Sequence, residues 1–247
     1  MGRIGIILLA ILLTSWGNTS SIVGHWKLNE GGGTIAMNSV LPTKNGTLTN
    51  GAVFAKMQKG NCVYLDGVDD YINIPDADQY SFGNGGTDKP FSITVWIYNQ
   101  NTSGQTFRIA SKVLNGVANE WLVTTRPTGT YSMYLYNSVG GDNMGSDAGN
   151  AAADVNLWTF LAFTYDGSKV YTGIKIYRNG VEYTSYTAGG SGSYTGMSNT
   201  TVDVRIGNFI TTYAKGYIQD FKIHDRVLNA TEIKNMYVES YNRIYNK

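Results

Sequence analysis

Cys62-Val63-Tyr64-Leu65-Asp66-Gly67-Val68-Asp69-Asp70-Tyr71-Ile72-Asn73-Ile74-Pro75 reads as strand, turn, strand. Val63 and Leu65 alternate with Tyr64, and Asp66-Gly67 supplies a turn that tolerates a left-handed residue. Tyr71, Ile72 and Ile74 resume an extended run that Pro75 ends. Asp66, Asp69 and Asp70 place three carboxylates within five residues. Turn chemistry accounts for one of them; a bound cation or a hydrogen-bonded corner would use all three. The corner is the favoured reading, with Asp70 anchoring backbone amides. Cys62 is the single cysteine, so it forms no internal disulfide and fits a small buried strand residue.

The same rhythm continues on both sides. Short apolar or aromatic runs alternate with Gly, Asn, Asp and Ser clusters at intervals of about ten residues, as in a β-sandwich or barrel. Strands are predicted over 24–28, 53–55, 61–65, 91–98, 107–113, 120–125, 131–137, 157–165, 172–177, 181–186, 202–207 and 216–224. The clearest is the run from Phe91, where Phe91, Ile93, Val95 and Ile97 face one side and Ser92, Thr94, Trp96 and Tyr98 the other. Asn45-Gly46 is a strong turn signal, and Asn179-Gly180 marks a type I′ hairpin. Residues 76–90 read as an irregular crossing, 139–154 as a long polar loop and candidate binding edge, and 188–200 as a Gly/Ser loop. Asn229-Ala230-Thr231-Glu232 has the form of an N-cap with a reciprocating Glu, and Ile233, Met236 and Tyr237 follow at helical spacing. No composition break interrupts residues 22–237, so residues 22–247 are expected to be one domain.

Composition narrows the function. Aromatics make up 13% and charged residues only 15% of the 247 residues, a balance suited to many strands joined by tight turns. A net charge of +1 and the lack of a Lys/Arg cluster argue against nucleic-acid binding. Met1-Gly2-Arg3, an apolar run over 4–13 and a small-residue tail predict a signal peptide over 1–21 and a secreted product. Ten apolar residues are about half of what spans a bilayer, so no stable membrane span is expected after cleavage.

Several weak motifs stand in one order. They are Trp26-Lys27-Leu28-Asn29-Glu30-Gly31-Gly32-Gly33, Asn45-Gly46-Thr47-Leu48, Leu65-Asp66-Gly67-Val68-Asp69-Asp70-Tyr71-Ile72, and the run from Phe91 to Trp96. Trp158 to Tyr165 with Asp166-Gly167-Ser168, Ile176-Tyr177-Arg178-Asn179-Gly180-Val181, Gly216-Tyr217-Ile218-Gln219-Asp220-Phe221-Lys222-Ile223 and Arg226-Val227-Leu228-Asn229-Ala230-Thr231-Glu232-Ile233 complete the set. This order resembles the laminin G-like, concanavalin A-like lectin/glucanase superfamily, particularly its secreted jelly-roll members related to pentraxins. The resemblance implies an all-β fold, an antiparallel two-sheet jelly-roll sandwich with one short C-terminal helix, whose concave face and edge loops bind glycans. It also implies a structural calcium ion (Ca2+) at Asn38 and Asp220, with Glu30. The chain departs from that pattern, because Asn38 stands where an Asp is common and Gln219 replaces a frequent acidic residue. Fewer negative ligands imply weaker calcium binding.

Some relatives are glycoside hydrolases, which need two carboxylates about 5 to 10 Å apart across the sugar bond. None of Glu30, Glu120, Glu182, Glu232 and Glu239 has an acidic residue two or four positions away on a strand. Asp76 and Asp78 have the spacing but follow Pro75 in a loop. His25 and His224 are the only histidines and form no zinc pair. The expected function is therefore a secreted, non-catalytic recognition or adhesion module that binds a glycan or cell-surface polysaccharide in a calcium-dependent manner. Trp121, Tyr134, Tyr136 and Tyr213 are the candidate sugar-stacking residues, although packing explains most tyrosines of a sandwich equally well. The rival is a structural or assembly protein, a cell-surface or virion unit that uses the sandwich for protein contacts. An inactive-looking glycosidase relative ranks third.

Overall fold

Alternation of side-chain size along the chain becomes alternation of faces in the structure. In the run from Phe91, Phe91, Ile93, Val95 and Ile97 enter the main core, while Trp96 points the other way into a second apolar cluster. The computed structural model describes residues 21–57, 60–101, 105–114, 118–137 and 141–245. Apart from Ser21, the predicted signal segment lies outside these described residues.

The strands are β1 (Ile22–Trp26), β2 (Ile35–Ala36), β3 (Gly46–Thr49), β4 (Val53–Met57), β5 (Gly60–Asp66), β6 (Tyr71–Ile74), β7 (Phe91–Asn99), β8 (Arg108–Leu114), β9 (Ala118–Thr125) and β10 (Tyr131–Tyr136). They continue with β11 (Asn143–Ala148), β12 (Trp158–Tyr165), β13 (Ile174–Arg178), β14 (Val181–Glu182), β15 (Tyr186–Ser191), β16 (Val204–Ile206), β17 (Asn208–Phe209), β18 (Thr212–Tyr213) and β19 (Lys215–His224), and helix α1 (Ala230–Tyr245) closes the described chain. One sheet has the order β14-β13-β12-β7-β19-β5-β4, with β1 also paired to β19. The second has the order β15-β11-β10-β9-β8-β16-β6-β3-β2, and β17 and β18 form a separate small hairpin. The strand pairs that fix this order are antiparallel, and inward residues of both sheets, Trp26, Phe91, Trp121, Val123, Met133 and Phe163 among them, share one core. This is the jelly-roll sandwich that the resemblance implies.

The opening stretch crosses between the sheets. β5 pairs with β4 and β19 in the first, whereas β6 pairs with β3 and β16 in the second. The two strands therefore form a corner and not a hairpin. Gly67 turns it at φ 84°, and the buried Asp70 carboxylate accepts from the Gly51 amide at 2.6 Å and the Asp66 amide at 3.0 Å. Cys62 is buried on β5, as expected, and burial pushes its thiol up to about 12.

A β-bulge organises the last strand. The register of β19 on β7 shifts between Gln219 and Lys222, Asp220 adopts φ 54°, and its amide donates to the Lys27 carbonyl at 3.0 Å. Before the bulge β19 pairs with β5, and after it with β1. The C-terminal helix opens on the expected reciprocal cap, with the Glu232 amide on Asn229 Oδ1 and the Asn229 amide on Glu232 Oε2, both at 2.9 Å. Ile233, Met236 and Tyr237 lay the helix over Trp96, Phe160 and Tyr177 on the outer face of the first sheet. No helix among the described residues is long and apolar enough to cross a membrane.

Four expectations are corrected. Within 139–154, the supposed loop, Asn143–Ala148 is a full strand between β10 and β15 and Ala151–Asp154 a 3-10 turn. The Gly/Ser segment from 188 begins inside β15. The chain expected to stay extended over 181–186 pairs only as β14 before crossing to the other sheet. Asn45 is extended at φ −65°, ψ 149° and Gly46 begins β3, so the turn expected at Asn45-Gly46 falls earlier, in the 3-10 turn Pro42–Lys44, whereas Asn179 and Gly180 at φ 50° and 80° form the expected hairpin between β13 and β14.

Candidate functional site

Outward positions of four neighbouring strands converge on a groove of about 860 Å3. Arg108 from β8, Leu122 and Thr124 from β9, Tyr134 and Tyr136 from β10 and Asn143 from β11 form its floor. The residues beside them in sequence, Ile109, Trp121, Val123, Met133, Leu135 and Met144, belong to the core, so the floor is the face of the second sheet turned away from it. Phe209, Thr212 and Tyr213 of the β17–β18 hairpin, the Asp66–Val68 corner, Arg126, Pro127 and Lys215 line the remainder. The corner on which the fold turns is thus also a wall of the groove.

Two arginines set its electrostatics. Arg126 donates to the Tyr134 hydroxyl, lies 5.4 Å from that ring's centroid and comes within 3.6 Å of Asp147. Tyr134 in turn donates to Asp147 Oδ1 at 3.2 Å. Burial, and then the Asp147 charge, push the Tyr134 phenol up to about 12. Arg108 is held differently: Nε donates to Thr212 Oγ1 at 2.8 Å, one Nη to Thr124 Oγ1 at 3.2 Å, and the guanidinium carbon sits 4.9 Å from the Phe209 ring centroid. No carboxylate pairs with Arg108 among the described residues. Burial, with the Arg126 charge adding to it, lowers the Arg108 pKa. Asp66 is the one carboxylate among the lining residues, against the cations Arg108, Arg126 and Lys215.

Of the predicted sugar-stacking residues, Tyr134, Tyr136 and Tyr213 line this groove. Trp121 does not. Its side chain is fully buried, its ring is 6.4 Å from Phe91 and its Nε1 donates to the Tyr80 carbonyl at 2.9 Å, so it is a core residue. One position along β9 separates it from Leu122 on the floor, and parity decides which of the two is reachable. Arg108, Thr124, Phe209 and Thr212 escaped sequence reading, because nothing local to Phe209 or Thr212 says that their hairpin folds over β8. Arg108 carries the one local signal, a cation inside the strand predicted over 107–113, flanked by Phe107 and Ile109.

Asn38 and Asp220, expected to hold calcium, already have partners. Asn38 Oδ1 accepts from the amides of His25, Val40 and Leu41, and its Nδ2 donates to the Tyr80 hydroxyl at 3.1 Å. Asp220 meets His25 Nε2 at 2.7 Å and Lys222 Nζ at 2.8 Å. Glu30 is exposed and accepts the Met37 amide at 2.7 Å. Asn38 and Asp220 do come together around His25, one on its amide and one on its ring, but N–H groups fill the places a hard cation needs as bare oxygen. These residues as arranged do not fit a calcium ion. Asp66, Asp69 and Asp70 bring one carboxylate oxygen each within 4.8 Å of one another, and backbone amides already engage Asp66 and Asp70.

Asp76 and Asp78, the residues of the glycosidase reading, do not line the groove. Asp76 meets the buried Lys112 at 2.8 Å, and Lys112 is also bound to the buried Glu120 at 2.6 Å, while Asp78 opens a 3-10 turn.

The fold recurs widely among solved structures. The binding domain of Paraclostridial Mosquitocidal Protein 1 superposes with a TM-score of 0.65 at 14% identity, covering 90% of this chain and 52% of that one. Domain 4 of AbnA, a GH43 extracellular arabinanase from Geobacillus stearothermophilus solved with arabinotriose, gives 0.60 at 18% identity over 87% of this chain and 98% of the other. Trypanosoma rangeli sialidase gives 0.63 at 14% identity over 92% of this chain but only 34% of its own. The chain therefore spans about half of the first protein and a third of the sialidase. At these identities the likeness concerns the fold alone. No curated protein matches the sequence. The family described as the concanavalin A-like lectin/glucanases superfamily matches residues 66–234, most of the chain and both sheets, and the chain belongs to it.

Proposed function

We propose that the chain is an extracellular, non-catalytic recognition module that binds a saccharide in the groove on the outer face of β8–β11. The observation that carries this reading is the convergence of Tyr136, Tyr213 and Phe209 with Asn143, Thr124 and Arg108 in one open groove of about 860 Å3. Rings that stack on sugar faces and side chains that satisfy hydroxyl groups are what carbohydrate binding requires. The arabinotriose complex of the similar arabinanase domain supports the class of ligand. Extracellular placement is supported by the apolar run over 4–13 behind Arg3 and by the extracellular origin of that arabinanase. The groove lining holds one carboxylate and not the flanking pair a glycosidase uses, which supports binding over hydrolysis.

A glycan array followed by calorimetry tests the proposal. Tyr213→Ala and Tyr136→Ala are each expected to weaken binding about two- to tenfold, the worth of one aromatic stacking contact, in variants that stay folded by thermal unfolding. Unchanged affinity in both variants would place the ligand elsewhere.

A further inference from the structure

We propose that the groove selects an acidic saccharide and that Arg108 receives its carboxylate. The inference rests on the saccharide reading and deepens it. Arg126 is already answered by Asp147 and Tyr134. Arg108 is not: its two bonds go to the neutral hydroxyls of Thr212 and Thr124, which fix the plane of the guanidinium without neutralising it. Phe209 backs the same group at 4.9 Å. The remaining N–H groups of Arg108 have no acceptor among the described residues, and the residue lines the groove.

A half-buried guanidinium that meets only hydroxyl groups carries a desolvation cost no counter-charge offsets, and burial accordingly depresses its pKa. A ligand carboxylate would relieve that cost through charge-assisted bonds, and its planar pair of oxygens matches the guanidinium fork. Lys215 and Arg126 add positive potential along the same groove, with Asp66 as the one opposing charge in its lining. The whole chain carries only +1, so this is local selection and not the general attraction of a basic protein. A neutral sugar would leave Arg108 unpaired; a uronic or sialic acid would complete it.

The test is an array of neutral, uronic-acid, sialic-acid and sulfated oligosaccharides, followed by calorimetry on the strongest acidic ligand and its methyl ester. Binding to carboxylated sugars is expected, falling about ten- to a hundredfold in Arg108→Gln and by a smaller factor in Arg108→Lys, which keeps the charge but loses the fork. The methyl ester removes the ligand's charge without touching the protein, so an equal loss there supports the assignment even if Arg108→Gln fails to fold. Preference for neutral or for sulfated sugars would overturn the carboxylate assignment and leave the saccharide reading standing. Full affinity of the ester, or of a folded Arg108→Gln, would overturn the role of Arg108. Binding to no sugar of any class would overturn both.

Discussion

Asp70 has two amide donors on its carboxylate, yet burial outweighs them and raises its pKa, with Asp66 and Asp69 adding repulsion. Its use is mechanical: it ties the corner after β5 to the Gly51 turn between β3 and β4. Asp70→Ala leaves two amides without an acceptor and is expected to cost about 2 kcal/mol, with a smaller loss in Asp70→Asn, which keeps one acceptor oxygen. Thermal unfolding checks it, and a melting temperature unchanged in Asp70→Ala would contradict the anchoring role. His224 has the opposite chemistry. Burial, reinforced by Lys222 and Arg226, pushes it from the ordinary 6.5 down to about 3, so the folded chain keeps the ring neutral where the unfolded chain takes up a proton. The stability this neutral ring supplies is complete above pH 6.5 and is lost as pH falls toward 3, by up to about 1.4 kcal/mol per pH unit. In His224→Gln that slope is removed, so urea midpoints at pH 7 and pH 4.5 should lie closer together than in the parent chain; identical drops in both proteins would refute the assignment. Local chemistry of the Asp70 kind was readable in sequence because turn, acid and glycine are adjacent. The Asp220 and His25 contact was not, since a bulge and 195 residues of separation create it.

Among elements, β11 and β15 escaped the reading that found β7, β9, β10 and β12. Alternating Val, Ile, Phe and Tyr announce a half-buried strand, whereas Asn143–Ala148 and Tyr186–Ser191 are rich in Gly, Ala, Ser and Asn and look like loops. Their composition has a cause in the neighbouring strand. Tyr134 on β10 stands opposite Gly145 on β11, which stands opposite Gly189 on β15, and the tyrosine side chain lies down across both. A Cβ at Gly145 would stand 2.5 Å from the ring and one at Gly189 2.2 Å from the hydroxyl oxygen. The glycines therefore let Tyr134 reach Asp147 and Arg126 and shape the end of the groove. Gly189→Ala is expected to displace Tyr134, cost about 1 to 3 kcal/mol through overpacking and weaken saccharide binding. In a Tyr134→Phe background, where the clashing oxygen is gone, the same change should cost less. Additive losses in the double variant would show that Tyr134 and Gly189 do not share this contact.

For the whole molecule, the order of motifs from Trp26 to Ile233 carried the sandwich, because each marks a strand or corner that the two-sheet topology needs. The groove was less legible: it assembles from β8–β11, the β17–β18 hairpin and the Asp66–Val68 corner, segments that only the folded sheets bring together. The same separation bears on the expected calcium ion. The cation position implied by the resemblance falls at the β1 and β19 bulge, where Asp220 already meets the His25 ring and the Lys222 ammonium and Asn38 is bound by amides, and none of these residues lines the groove. Neither the fold nor saccharide binding should then depend on the ion. A ligand that binds only the folded chain stabilises it by about 2.7 kcal/mol at a hundredfold excess over its Kd, enough to move a melting temperature by several degrees in a chain of this size. Millimolar calcium against an excess of chelator is expected to shift the melting temperature by less than about one degree, a small fraction of that bound, and to leave groove affinity unchanged. A rise of several degrees would restore the cation. Its loss in Asp220→Asn, with the effect retained in Asp70→Asn, would place the ion at the bulge, and the reverse pattern would place it at the corner, among the three carboxylates of Asp66, Asp69 and Asp70.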